Sequence, residues 1–241
     1  MLPSSEQVRL HAYFRWEKRG HGHGCHLDDW VVAEQALLFS MNYEVLAHHA
    51  LDGETSTRVG RSHPRVCRFC EQAEPRTQFA PVVPVVSGSN LEALDQCEEC
   101  QAQFLQSLDE ALGEFLQNVA RGVVPDSVPI AAYKGLVKTA LAILRTEDLD
   151  LFPDAIEWIC NPDHDHDGGS FSRMGMGLFL HRGSALQGSF VALARKIEDD
   201  EPMPSALFFL GGPGYSISMA VPLCMRDEEL EGADLIVPRM A

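Results

Sequence analysis

"FAPVVPVVSGSNLEALDQCEEC", residues 79–100, ends in a Cys-x-x-Cys pair, Cys97 and Cys100. A matching pair, Cys67 and Cys70, lies 26 residues upstream. Each pair lets two thiolates reach one ion, and two pairs complete a tetrahedron. The spacing therefore predicts a four-cysteine metal site, and zinc is the ion such a set prefers. In a reducing compartment the pattern favours zinc over disulfides. A four-thiolate site is closed, so the expected role is structural, with one zinc ion whose binding energy is folding energy. Cys25, Cys160 and Cys224 have no partner at ligand spacing and read as free thiols.

Outward from the cysteines the chain reads as α+β. Residues 6–19, with Val8, Ala12 and Trp16 at helical spacing and Leu10 and Phe14 beside them, predict a first helix. "GHGHG" at 20–24 breaks it, and Asp28 can cap a second helix over "DDWVVAEQALLFSMNYEVLAHH", residues 28–49, in which Trp30, Ala33, Leu37 and Met41 recur. The polar stretch 51–64 reads as a linker. Beyond Glu98 a helix is expected to about Val119, ended by "RGVVPDSVPI". Further helices are expected over "AAYKGLVKTALAILR" and over "PDAIEWIC", where Pro153 suits a helix start. Four short runs near the C-terminus, "RMGMGLFLHRG", "GSFVALARKI", "SALFFLGG" and "YSISMAVPL", predict a small antiparallel sheet. The expected units are a helical hairpin at 1–50, a linker at 51–64, a zinc module at 65–122 and an α+β region at 123–241.

The opening resembles a short bacterial domain of unknown function, number 2934 in the usual naming. The matching features are Ala12-Tyr13, Trp16-Glu17, the 20–24 loop, Trp30, Ala33-Glu34 and Leu37-Leu38. That resemblance implies no chemistry.

Residues 65–120 resemble the zinc-stapled branch of the HNH endonuclease superfamily, a ββα treble clef. Cys67 and Cys70 stand as the first knuckle, Pro84 as the strand proline, Ser87-Gly88 as the glycine turn and Asn90-Leu91 as the Asn-Leu pair. Cys97 and Cys100 open the helix. The departures fall on the catalytic positions. Pro81 stands where the family places its general-base histidine, and Gln101 where it often has His or Asn; Asn90 is retained. Proline cannot take a proton from water, and glutamine is a weaker metal ligand than imidazole. The resemblance thus implies a scaffold whose catalytic groups have been replaced, with a binding role. The rival reading is an active metal-dependent nuclease in which His63, His164 or His166 substitutes.

Formal net charge is −16, and no third of the chain is basic: 5 basic against 8 acidic residues in 1–60, 5 against 9 in 61–125, 9 against 18 in 126–241. The overall field opposes a polyanion, although Arg61, Arg65, Arg68 and Arg76 could form a local patch at the first knuckle. A protein partner is therefore expected before a nucleic acid. No apolar run approaches the ~20 residues that cross a bilayer, and "MLPSSEQVRLHAYF" lacks a secretory h-region. A soluble, cytoplasmic protein is expected.

Two other stretches carry alternatives. "GHGHGCH" offers His21, His23, Cys25 and His26 as a second metal site or as a polar loop. "NPDHDHDGG" copies the first half of a calcium loop at Asp163, Asp165 and Asp167, but Met174 stands where the closing glutamate belongs. It is otherwise an acidic turn, or a source of His164 and His166 for the zinc module.

Overall fold

The computed structural model describes residues 1–51, 55–61, 66–71, 79–84, 89–123, 128–161, 178–182, 188–198, 204 and 206–221. His63, Arg65, Arg76, Ser87-Gly88, the 162–177 segment with His164 and His166, and Cys224 lie outside them. The chain is α+β, as its patterning predicts.

Helix α1 (Ser5–Lys18) opens with a capping box: Gln7 N–H donates to Ser4 Oγ, and the Ser4 N–H donates to the Gln7 side chain at 2.8 Å. Helix α2 (His26–Asn42) packs against it through Val8, Ala33 and Leu37, with Ala12 and Trp30 alongside. Asp28 does not cap α2. The N-cap is Cys25, which makes no side-chain cap bond, and the neighbouring Asp29 is buried against Arg19. Leu10 and Phe14 are about half exposed, so only the Val8 side of α1 is covered.

The second helix stops earlier than its pattern suggests. Tyr43–Ala50 is a strand, β1, antiparallel to β6 (Phe190–Lys196), with Tyr43 opposite Lys196 and Ala50 opposite Phe190. The tertiary partner overrides helical spacing here: extended, Tyr43 buries its ring and donates its hydroxyl to Pro204 O at 2.7 Å. β1 joins β5 (Leu178–Arg182), β6, β7 (Ala206–Gly212) and β8 (Tyr215–Ala220) in one five-stranded antiparallel sheet, order β1-β6-β7-β8-β5. Pro213-Gly214 turns β7 into β8, and Gly214 takes φ 77°, open to glycine at no steric cost.

β7 and β8 are buried on both faces. Phe208, Leu210, Ile217 and Met219 face the main core, while Leu207, Phe209 and Ala220 face Tyr43 and Phe39 of α2. Phe39 meets the Phe209 ring edge-on at 5.6 Å. Each large apolar side chain buried in this way contributes roughly 1.5–3 kcal/mol.

The 51–64 stretch is more than a linker. Thr57–Val59 forms β2, parallel to β4 (Leu91–Ala93), which also pairs antiparallel with β3 (Ala80–Pro81). Val59 is buried, which drives this short β-branched run onto the sheet. After β4 the chain enters α3 (Glu98–Phe104), a wide π turn over Leu105–Asp109, and α4 (Glu110–Ala120). Helix α5 (Ile130–Ile143) then runs through the core, with every residue from Ala132 to Ile143 buried. Gly135 permits the close approach: a Cβ there would lie 2.9 Å from Leu112 Cβ. A 3-10 turn (Thr146–Leu151) leads into α6 (Pro153–Cys160), with proline in the first turn. One apolar core spans the cysteine segment, α4, α5, α6 and the five-stranded sheet. Among the described residues no helix is long and apolar enough to cross a membrane.

Candidate metal centre

The four cysteines meet. The Sγ atoms of Cys67, Cys70, Cys97 and Cys100 lie within 4.8 Å of one another. Sulfurs at ~2.3 Å from a tetrahedral zinc stand roughly 3.8 Å apart, and Cys70 Sγ lies 3.7 Å from Cys97 Sγ. The donor set therefore fits a four-thiolate ion of zinc's size and softness.

Local structure explains the convergence. Each pair sits in a tight turn: Glu71 N–H donates to Cys67 O at 3.0 Å, and Gln101 N–H to Cys97 O at 2.9 Å. Glu71 closes the first turn in the left-handed region, φ 59°. Cys97 is the N-cap of α3, and its sulfur accepts the Cys100 N–H at 3.4 Å. Cys67 Sγ accepts the N–H groups of Phe69 and Cys97, each at 3.4 Å. Backbone donors aimed at a sulfur favour its thiolate form.

The protonation pattern follows. The hydrogen bond from the Cys100 thiol, helped by those backbone donors, pulls Cys67 down to about 4. Burial pushes Cys97 up to about 12. Cys100 is pushed up by its bond to Cys67 and then by burial. Clustered sulfurs cannot all ionise beside one another, so full deprotonation of the set calls for a cation among them.

The centre is anchored by a buried ion pair that the spacing of cysteines did not announce. Arg68, between two residues of the first knuckle, is buried and donates through Nε to Asp95 Oδ1 at 2.7 Å and through Nη2 to Asp95 Oδ2 at 2.9 Å. Its Nη1 donates to Leu141 O, Ala142 O and Leu144 O at 2.8, 2.5 and 3.3 Å. Those carbonyls are orphans of the C-terminal end of α5, where a cation is favoured. The Arg68 N–H donates to Asp95 O at 2.8 Å, and Asp95 Oδ2 accepts the Arg61 N–H at 3.1 Å. One guanidinium thus ties both knuckles to the central helix. Arg68 is consequently no part of an exposed basic patch.

Around the strand position of Pro81 the chemistry is lysine rather than histidine. Lys138 of α5 is buried and donates from Nζ to both Asp109 oxygens at 3.0 and 3.1 Å, and to Pro81 O and Val82 O at 3.2 and 3.3 Å. The wide turn 105–109 shifts the helical register so that Leu108 and Asp109 are both buried. Burial pushes the Asp109 carboxyl up from its ordinary value, and the Lys138 charge opposes the shift. Lys134, one turn earlier, lies 4.9 Å from the Trp158 ring centre and donates to Asn161 O at 3.1 Å. Two lysines in an otherwise apolar helix were the available signal for these contacts.

Asn90 donates through Nδ2 to Thr55 O at 2.6 Å, a link between the strands' approaches. Gln101 is half-buried on α3. His21 packs edge-on against Trp16 at 4.3 Å. Among the described residues the four cysteines form the one cluster of metal-ligating side chains, so His21, His23, Cys25 and His26 are not brought together. Cys160 is half-buried; burial pushes its thiol up to about 12, and the nearby cysteine sulfurs add to the shift.

No curated protein and no solved structure matches the chain. A family model described as "Protein of unknown function (DUF2934)" matches residues 3–38, which are α1 and most of α2.

Proposed function

We propose that this chain is a zinc-stapled binding protein built on an HNH-like ββα scaffold that has no catalytic centre. The carrying observation is the closed set of four sulfurs, which leaves a tetrahedral ion no open position for water or phosphate. The ion would be structural, and Cys67, Cys70, Cys97 and Cys100 would hold it. The order of parts supports the scaffold: a knuckle at 67–70, the antiparallel β3–β4 pair, then a knuckle that caps α3. Pro81 has no group to accept a proton, and its carbonyl is occupied by the Lys138 ammonium, itself matched by Asp109. The acidic surface favours a protein partner over a nucleic acid.

Native mass spectrometry of the purified protein, with and without a chelator, tests the metal. One zinc per chain, released on denaturation, is expected. A metal-free folded chain, or plasmid nicking with magnesium or manganese, would overturn the reading.

A further inference from the structure

A groove of about 620 Å³ opens beside the first knuckle, between residues 66–71 and the segment 147–157. Its size falls within the roughly 300–1,000 Å³ range of ligand sites. Its apolar lining comes from Val66, which is 44% exposed, half-buried Ile156, and the buried Phe69 and Leu149, and Cys67 and Cys70 of the metal centre line it too. Around them stand four exposed carboxylates, Glu71, Glu147, Asp150 and Glu157. The cations among the described lining residues are Arg61 at the edge and Arg68, which is buried on Asp95. Glu147 has a loose neighbour in Arg145 at 3.9 Å. The groove thus presents apolar anchorage inside a negative rim, on a chain whose net charge is −16.

We propose that this groove docks a basic peptide segment of a partner protein, with one apolar side chain against Val66 and Ile156 and lysines or arginines on the rim. The proposal rests on the binding role argued above and names its partner class. Charge complementarity selects the occupant: a polyanion or an acidic peptide would meet four like charges. The walls are also rigid, because Phe69 stacks edge-on against Phe104 at 5.0 Å and the knuckle backbone is held by Arg68 and Asp95. A preformed groove loses little entropy on binding.

Fluorescence anisotropy of a labelled Lys-Lys-Leu-Lys-Lys peptide with the zinc-loaded full chain tests this. Raising ionic strength from about 0.1 M to about 1 M shortens screening from roughly 10 Å to roughly 3 Å and should weaken binding about tenfold or more. Asp150→Lys with Glu157→Lys should do the same at low salt, about tenfold or more. Glu110→Lys with Glu114→Lys on α4, an equal charge change elsewhere, should leave affinity within about threefold. Should the first pair fold poorly, Asp150→Asn with Glu157→Gln is expected to weaken binding in the same direction. Equal loss from both lysine pairs, equal binding of Glu-Glu-Leu-Glu-Glu, or no binding at all would overturn the groove assignment. Zinc content and plasmid nicking measured on the same sample separate the two readings: a zinc-loaded, non-nicking chain without peptide affinity refutes the groove alone.

Discussion

Replacing Arg68 by methionine should be among the most damaging single changes in this chain. The guanidinium and the Asp95 carboxylate have side chains 0% and 1% exposed. Methionine keeps the length and apolar stem but strands a buried carboxylate, a loss that costs about 3–5 kcal/mol in comparable sites. It also strips the donor from three carbonyls at the end of α5. The expectation is therefore the upper end, about 5 kcal/mol. For a chain of this size, at about 2–4 °C per kcal/mol, the melting temperature should fall by about 10–20 °C. Guanidinium unfolding of the purified protein reads the free energy, and a chromophoric chelator reads release of any ion held by the four cysteines, which should quicken because Arg68 joins both Cys-x-x-Cys turns. Asp95→Leu added to Arg68→Met removes the stranded charge, so the part of the loss due to that carboxylate should return, while the three α5 carbonyls still lack their donor and the ~1 kcal/mol bond to the Arg61 amide is lost. A loss below about 1 kcal/mol for Arg68→Met, the size of a surface pair, would refute the reasoning.

Gly60→Ala should destabilise by about 2 kcal/mol or more, read by thermal melting, because φ is 95° and the new Cβ would lie 2.3 Å from Asp95 Oδ1. Lys138→Met should cost about 3–5 kcal/mol by leaving Asp109 unpaired, and Lys138→Met with Asp109→Leu should recover most of it in the same denaturation assay. In the hairpin, hydrogen bonding to Arg19 holds Asp29 below its ordinary value of 3.8. Its contribution is thus full above 3.8 and fades as pH falls through the lower folded value. Amide protection factors in α1 and α2, taken relative to the unstructured exchange rate at each pH, should fall on that acidification, and Asp29→Asn should remove that pH dependence.

Much of the molecule was legible beforehand, and for physical reasons. Cys-x-x-Cys spacing is a local geometric constraint, so Cys67, Cys70, Cys97 and Cys100 announced one centre before any fold was known. The short β-type runs at 190–196, 206–212 and 215–220, bounded by Gly, Pro and acidic turns, became β6, β7 and β8, the last two buried on both faces. Pro153 and the break after Ala120 set helix ends through backbone sterics alone.

What the sequence left open required distant partners. Tyr43–Ala50 looks helical in isolation, and only the free edge of β6, some 150 residues away, makes it a strand. Arg68 reads as surface charge until Asp95 and the end of α5 close around it. Lys134 and Lys138 look like the polar side of an amphipathic helix, yet Trp158, Asn161, Asp109 and the β3 carbonyls take them into the core. Local chemistry determined which sulfurs gather and which runs pair; burial of charge depends on counter-charges and carbonyls brought from elsewhere in the chain, and only the tertiary structure supplies those.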